Sequence, residues 1–248
     1  MKTTKFIIAF LLVLFFAFSV YAQQEENQLI YCQKHTVKPE KIDEYKELMK
    51  KFASACKEYN YPFAYSAWQS THPDFYYIWP VKDYNEPKEV MNKAWGDVIP
   101  NMEHDWGAKF SETVESWDDF FIKSIDSLSY NPENSVGDFA YAEWWIRYQK
   151  TWTGWTHRNT FKQTIKMIKE SNAEYPIFRF QGDIGMNGPA IITLFWGKNR
   201  ADLASHRREN WESLGDEGQN MINDLSSITR KIETIPFWRL KELSYSPE

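Results

Sequence analysis

Leu243-Ser244-Tyr245-Ser246-Pro247-Glu248, the last six residues of the 248-residue chain, restate Leu128-Ser129-Tyr130-Asn131-Pro132-Glu133 with one change. The two stretches lie 115 positions apart, and other landmarks recur at nearly that spacing. Tyr61-Pro62 returns as Tyr175-Pro176, Lys82 as Lys198 and Trp95 as Trp211. Such an offset across separated landmarks reads as two copies of one unit of roughly 110 residues, and repetition of this kind fixes architecture before any local feature does.

Each copy shows the same order of elements. In the first, Gln28 to Val37 is β-rich, and Pro39 stands where a helix favours a first-turn proline. Ile42, Tyr45, Leu48, Phe52, Ala55 and Tyr59 follow at three- and four-residue steps, one apolar stripe on a helix. Phe63 to Ser70 and Phe75 to Val81 form a hairpin, helical stretches run through Val90 to Val98 and Met102 to Val114, and Trp117 to Ile125 closes the copy. The second copy repeats this with strands at Phe139–Gln149, Ile177–Gln181, Ala190–Trp196 and Ile235–Leu240. Its helices carry Phe161, Ile165 and Ile168, then Leu203 to Trp211, then Met221 to Ile228. Its hairpin turns at Asn187-Gly188, a dipeptide suited to positive φ. Gly182, Gly185 and Gly188 join two strands instead of opening a helix, so they read as turn chemistry and not as a phosphate cradle.

The order β-α-β-β-α-β is the split βαβ, or ferredoxin-like, unit, with both helices on one sheet face. The expected fold class is α+β: two tandem units packed sheet to sheet as an intramolecular barrel. Element order and copy length resemble the dimeric α+β-barrel superfamily, which includes antibiotic-biosynthesis monooxygenase-like and NIPSNAP-like proteins. The resemblance covers nearly all of the chain beyond residue 22 and implies a monomeric pseudo-dimer, the two copies standing in for two subunits. The expected division is 1–22 leader, 23–130 first unit, 131–138 polar linker and 139–248 second unit.

Met1 to Ala22 reads as a secretory signal: Lys2 and Lys5 precede the apolar run Phe6 to Val20, and Val20-Tyr21-Ala22 places small residues at a cleavage site. The expectation is an exported protein, periplasmic or extracellular, with no membrane attachment after cleavage. Loss of the two leader lysines takes the net charge from −5 to −7. With no basic run, that balance argues against a nucleic-acid partner. Aromatic residues make up 17 % of the chain, and its twelve Trp outnumber its ten Gly, which suits a large core or a lined cavity. Cys32 and Cys56 are the only cysteines; export permits a disulfide, and two buried thiols are the alternative.

Alternation along a strand sorts the candidate site residues. One parity of the second copy's first strand holds Ala140, Ala142, Trp144 and Ile146, which suits helix packing. The other holds Tyr141, Glu143, Trp145 and Arg147, expected to point into the barrel with Tyr31, Gln33 and His35 of the first copy. Tyr65 and Arg179 fall at matching positions of the second strands at an offset of 114. The candidate ligand-binding set is therefore Gln33, His35, Tyr65, Tyr141, Glu143, Trp145, Arg147 and Arg179, an aromatic cavity with a few convergent polar groups. The same residues also read as a packed core with an internal ion-pair set.

No histidine belongs to a compact metal-ligand pattern, so no metal site is expected. His35 stands as a wall residue or proton acceptor. His206 reads as a surface histidine beside two arginines, or as an axial ligand if the resemblance extends to haem-handling relatives. No cofactor other than haem is in view. Three functions stay open: an exported small-molecule-binding barrel with an aromatic-lined cavity between the repeats; a monooxygenase-like enzyme, without a metal of its own or with haem; and a structural or interaction protein with a filled barrel.

Overall fold

The computed structural model describes residues 27–71, 73–131 and 139–247. The 1–22 leader, His72, the 131–138 linker apart from Asn131, and Glu248 lie outside the described residues.

The first unit runs β1 (Leu29–Val37), α1 (Ile42–Glu58), β2 (Ser66–Gln69), β3 (Asp74–Val81), α2 (Glu86–Lys93, continued by a π-turn over Ala94–Val98), α3 (Trp106–Thr113) and β4 (Val114–Ser124). The second runs β5 (Tyr141–Gln149), α4 (Gly154–Glu170), β6 (Phe178–Gly182), β7 (Ala190–Gly197), α5 (Arg200–Glu212), α6 (Gly215–Asp224) and β8 (Thr229–Arg239). Helix α1 buries Ile42, Tyr45, Leu48, Met49, Phe52, Ala55 and Cys56, one stripe at helical spacing. Helix α5 starts at Asn199, whose side chain accepts hydrogen bonds from the Ala201 and Asp202 amides at 3.0 Å, satisfying donors that have no intrahelical partner.

All eight strands close one antiparallel barrel in the order β1-β3-β2-β8-β5-β7-β6-β4. Within each unit the order is that of the ferredoxin-like sheet, fourth-first-third-second, and the units meet at two seams. Both seams are short: β2 meets β8 through Trp68–Arg239 and Gln69–Trp238, and β4 meets β6 through three pairs. The repeated tails reinforce them. Tyr130, at the end of the first unit, bridges Ile177 in the second, and Tyr245 bridges Tyr65 in the first. Ser129 Oγ accepts from the Arg179 amide and Ser244 Oγ from the Ala67 amide, both at 2.9 Å. Each unit's tail thus completes the other unit's second strand, which is why the motif occurs twice.

Strand pairing gives the true equivalence of the copies. Cys32 faces Ile78 as Trp144 faces Leu194, and Ser66 faces Ile78 as Phe178 faces Leu194. Positions up to β2 therefore match at an offset of 112 and those of β3 and β7 at 116, because the β6–β7 hairpin is four residues longer. Arg179 accordingly matches Ala67, and Tyr65 matches Ile177, correcting the Tyr65–Arg179 pairing expected at offset 114.

The two faces of the sheet are the reverse of the sequence expectation. The lumen is lined by Cys32, Tyr76, Ile122, Ala142, Trp144, Ile146, Phe180, Ile192 and Phe237, drawn from both units. Tyr31, Gln33, His35, Tyr141, Glu143, Trp145, Arg147, Tyr65 and Arg179 alternate with these and face the helices. The physical reason is that both faces are covered, so neither is marked by exposure to water. An eight-stranded barrel has room inside for side chains but no backbone carbonyls to satisfy a charge. The polar parity goes to the helix side, where carbonyls and helix side chains can meet it.

Cys32 lies in the lumen and Cys56 among the helix-side residues; both are buried and free. No described helix is long and apolar enough to cross a membrane.

Candidate functional site

Five of the eight candidate residues line two pockets at equivalent places, each between one unit's sheet and its helices: Gln33 and His35 the first, Trp145, Arg147 and Arg179 the second. The first pocket, about 50 Å³, is walled by Met49, Phe52, Tyr77, Trp79, Trp95, Trp106, Phe110 and Trp117, with Gln33 and His35 on its floor. The second, about 100 Å³, is walled by Trp145, Phe161, Phe195 and Trp211 and carries Arg147, Arg179, Arg207, Asn210, Thr164 and Thr193. Tyr65 belongs to neither; it packs against Phe52, Tyr77 and Trp79. Tyr141 is a supporting group that donates to Glu143 at 2.9 Å.

At the first pocket, His35 is 3 % exposed and its Nδ1 lies 2.7 Å from the Tyr45 hydroxyl, which in turn donates to the Tyr77 hydroxyl at 3.0 Å. His35 Nε2 is buried with no partner among the described residues. Burial pushes its pKa down to about 3, so the imidazole is neutral at ordinary pH. Gln33 Nε2 donates to the Tyr31 hydroxyl at 2.8 Å.

The second pocket has different electrostatics. Arg179 is 5 % exposed; its Nη1 donates to the Leu128 carbonyl at 2.6 Å, its guanidinium lies 4.2 Å from the centre of the Phe161 ring, and its Nε is buried without a partner. Burial, and secondarily the charge of Arg147, pulls its pKa down to about 9. Arg147 is half-buried and its pKa is also lowered by burial. Among the described residues no carboxylate pairs with either arginine. Glu143, the nearest candidate in sequence, is committed elsewhere: it pairs with Arg207 at 2.5 Å and accepts from Tyr141 and from Trp145 Nε1. Arg207 also lies 4.5 Å over the Trp145 ring, so Glu143, Trp145 and Arg207 form a self-satisfied rim. Across the pocket, Asn210 is 3 % exposed and neither its Oδ1 nor its Nδ2 has a partner among the described residues.

Sequence reasoning found Arg147 and Arg179 but missed Asn210, Arg207 and Trp211 as pocket residues. Trp211 was visible as the repeat partner of Trp95, and Arg207 lies three residues before Asn210 and four before Trp211, the steps that put residues on one helical face. The equivalences also show how the pockets diverged: His35 becomes Arg147, Gln33 becomes Trp145, Ala67 becomes Arg179, Met91 becomes Arg207 and Ala94 becomes Asn210. Trp144, Trp145, Trp152 and Trp155 share no common platform: Trp144 is in the lumen, Trp145 is in the pocket, and the last two are exposed.

These observations settle which known architecture the chain has, and solved structures agree. A protein from Fusobacterium nucleatum, provisionally named a monooxygenase, superposes with a TM-score of 0.57 at 12 % identity, covering 87 % of this chain and 93 % of its own. The fold is that of the dimeric α+β barrels. An anthrone oxidase-like protein matches the barrel at TM-score 0.53 and 11 % identity, with 87 % and 92 % coverage. A chlorite dismutase variant from Candidatus Nitrospira defluvii matches it at 0.52 and 8 %, with 86 % and 92 %. No family model and no curated protein matches the sequence.

Haem is the cofactor that the sequence resemblance allows. An axial ligand needs a histidine nitrogen with a free lone pair. His206 is buried instead of lying at the surface: Nδ1 meets the Trp196 carbonyl at 3.2 Å, Nε2 meets Asp202 at 3.1 Å, and the ring stacks on Tyr175. His157 is likewise engaged at both nitrogens, by the Thr153 carbonyl and Thr229 Oγ1. Neither lines the second pocket, whose 100 Å³ falls well below the ~300 Å³ at which drug-sized sites begin. Among the described residues, His206 and His157 thus offer no free nitrogen to a haem, and His35, whose Nε2 is free, faces a pocket of only about 50 Å³. Among the described residues no cluster of three or more His, Cys, Asp or Glu is arranged to hold a metal ion.

Proposed function

We propose that this chain is an exported small-molecule-binding α+β barrel whose ligand is a compact anion, a small carboxylate or oxyanion, held in the second unit's pocket. One observation carries the reading: Arg179 is buried and Arg147 half-buried in one pocket, with no carboxylate among the described residues to neutralise them. Burying unpaired like charges is costly, and a bound anion offsets that cost. The Asn210 amide, whose oxygen and nitrogen have no partner among the described residues, supplies a donor and an acceptor at the same cavity. Trp145, Phe161 and Trp211 exclude water and strengthen the field. The first unit's pocket, with Ala67 and His35 at the matching places, has no such charge. Export rests on the 1–22 leader.

Titration calorimetry of residues 23–248 with acetate, benzoate, phosphate and nitrate tests this. The expected result is saturable one-to-one binding of at least one anion, weakened about 10- to 100-fold by Arg179→Met or Arg147→Met, the worth of a charge-assisted hydrogen bond. Equal binding by both variants, or no binding by any anion, refutes it.

His35 favours a second reading, a monooxygenase-like enzyme working in the first unit's pocket, where a neutral imidazole with a free nitrogen faces an aromatic cavity. It ranks lower because about 50 Å³ admits little more than solvent-sized molecules without helix movement. Oxygen uptake with an anthrone, absent in His35→Gln, would favour it; no uptake by the wild type removes it.

A further inference from the structure

The barrel lumen holds a third cavity, independent of both helix-side pockets. It measures about 220 Å³ and is walled by Ile30, Ile78, Trp68, Trp144, Phe180 and Phe237, among others from both units. It lies toward the end of the barrel where β2 and β6 are short: these strands span four and five residues against eight to eleven for the other six. Elsewhere the lumen is closed by Cys32, Tyr76, Ile146 and Ile192.

A dry cavity of about 150 Å³ lined by aliphatic and aromatic side chains takes up benzene, and this one is larger. Water gains little there, because the lining offers few polar partners. Ser66 Oγ accepts from Trp68 Nε1 at 2.9 Å, and Trp196 Nε1 is buried without a partner among the described residues. Those groups leave donors, and no charge, facing an apolar space. An ion is excluded by desolvation, whereas an uncharged ring with one acceptor oxygen satisfies a donor and fills the void.

We infer that the lumen is a binding site for a small uncharged ring compound, aromatic or alicyclic, carrying a carbonyl or similar acceptor. Both units supply its walls, so it exists only in the closed barrel. Its ligand differs in charge from the anion of the second unit's pocket, and neither reading depends on the other.

The test is ligand-observed NMR and calorimetry on residues 23–248 with toluene, acetophenone and benzoate. The expected result is saturable binding of one toluene or acetophenone per chain, with acetophenone the tighter, and no displacement of either by benzoate. Ala142→Leu and Leu194→Phe fill the cavity from different strands, and each is expected to weaken acetophenone at least about tenfold, a difference of about 1.4 kcal/mol. Trp196→Phe is expected to narrow the advantage of acetophenone over toluene while leaving toluene bound. Arg179→Met leaves both ligands unaffected. Melting curves establish that each variant is folded, and two filling variants keep the test open if one is not. No saturable binding to the wild type, or unchanged affinity in a folded filling variant, overturns the inference, as does displacement by benzoate.

Discussion

Arg179 is the residue where the balance of forces is most exposed. Its pKa is lower in the folded chain than in the unfolded, so the folded state is penalised while the group is charged and relieved as pH rises from about 9 toward the ordinary arginine range. Arg179→Met should therefore stabilise the ligand-free protein by about 1–3 kcal/mol near neutrality, and the gain should shrink by pH ~10; urea midpoints at the two pH values check both. His35 gives the same sign in a lower pH window. Its folded pKa of about 3 lies below the ordinary 6.5, so the stability it confers is complete above 6.5 and is lost as pH falls toward 3. Between pH ~6.5 and 5, His35→Gln should flatten the stability curve by up to about 1.4 kcal/mol per pH unit. A variant that titrates like the wild type would show that His35 is not held neutral by burial. At this scale the sequence was a partial guide. Arg147, Arg179 and His35 were legible as polar residues on apolar strands, but Asn210 was not, because one amide on a helix carries no signal until the facing strand is known.

Among the elements, the β6–β7 hairpin shows how a connection can act as a wall. Phe121 donates to the Ile184 carbonyl and Asp183 to the Phe121 carbonyl, so the turn extends the seam beyond β6 onto β4. Gly185 sits in this contact at φ +87°, where a Cβ would lie 2.4 Å from the Asp119 carbonyl oxygen. Gly185→Ala should cost about 1–3 kcal/mol, read from thermal or urea unfolding, against little change for a polar substitution at exposed Ile184. The thiols make a second elemental test. Cys32 and Cys56 lie on opposite faces of the same sheet, and burial raises the pKa of both, that of Cys56 to about 12. Native protein should leave both unmodified by a thiol reagent at neutral pH, and denaturant should release two equivalents. Helix and strand positions were legible because apolar spacing at 3.6 and 2 residues survives in a single sequence. Which strand face met the helices was not, since Trp144 and Trp145 are equally aromatic and only register separates lumen from pocket.

For the whole molecule, the lumen core and crossed tails make the two units one folding body. Unfolding should be a single transition, coincident by far-ultraviolet circular dichroism and tryptophan fluorescence; two separated transitions would show that each unit holds its own core. Repetition made this architecture readable, because the motif at 128–133 and 243–248 gave the copy length directly. It also misled in detail, since one average offset hid a change from 112 to 116 across the hairpin.

The covalent join between the units also has an informational consequence. In a barrel made from two identical subunits, every substitution is made twice, and a charge introduced into one pocket is introduced into its twin. Here the two pockets are encoded separately. Arg147 and Arg179 load positive charge on one side while His35 and Ala67 keep the other neutral. The repulsion and desolvation of that charge are borne once per barrel instead of twice. A single chain can therefore hold two dissimilar specificities within one symmetric frame, which a homodimer of the same shape cannot do.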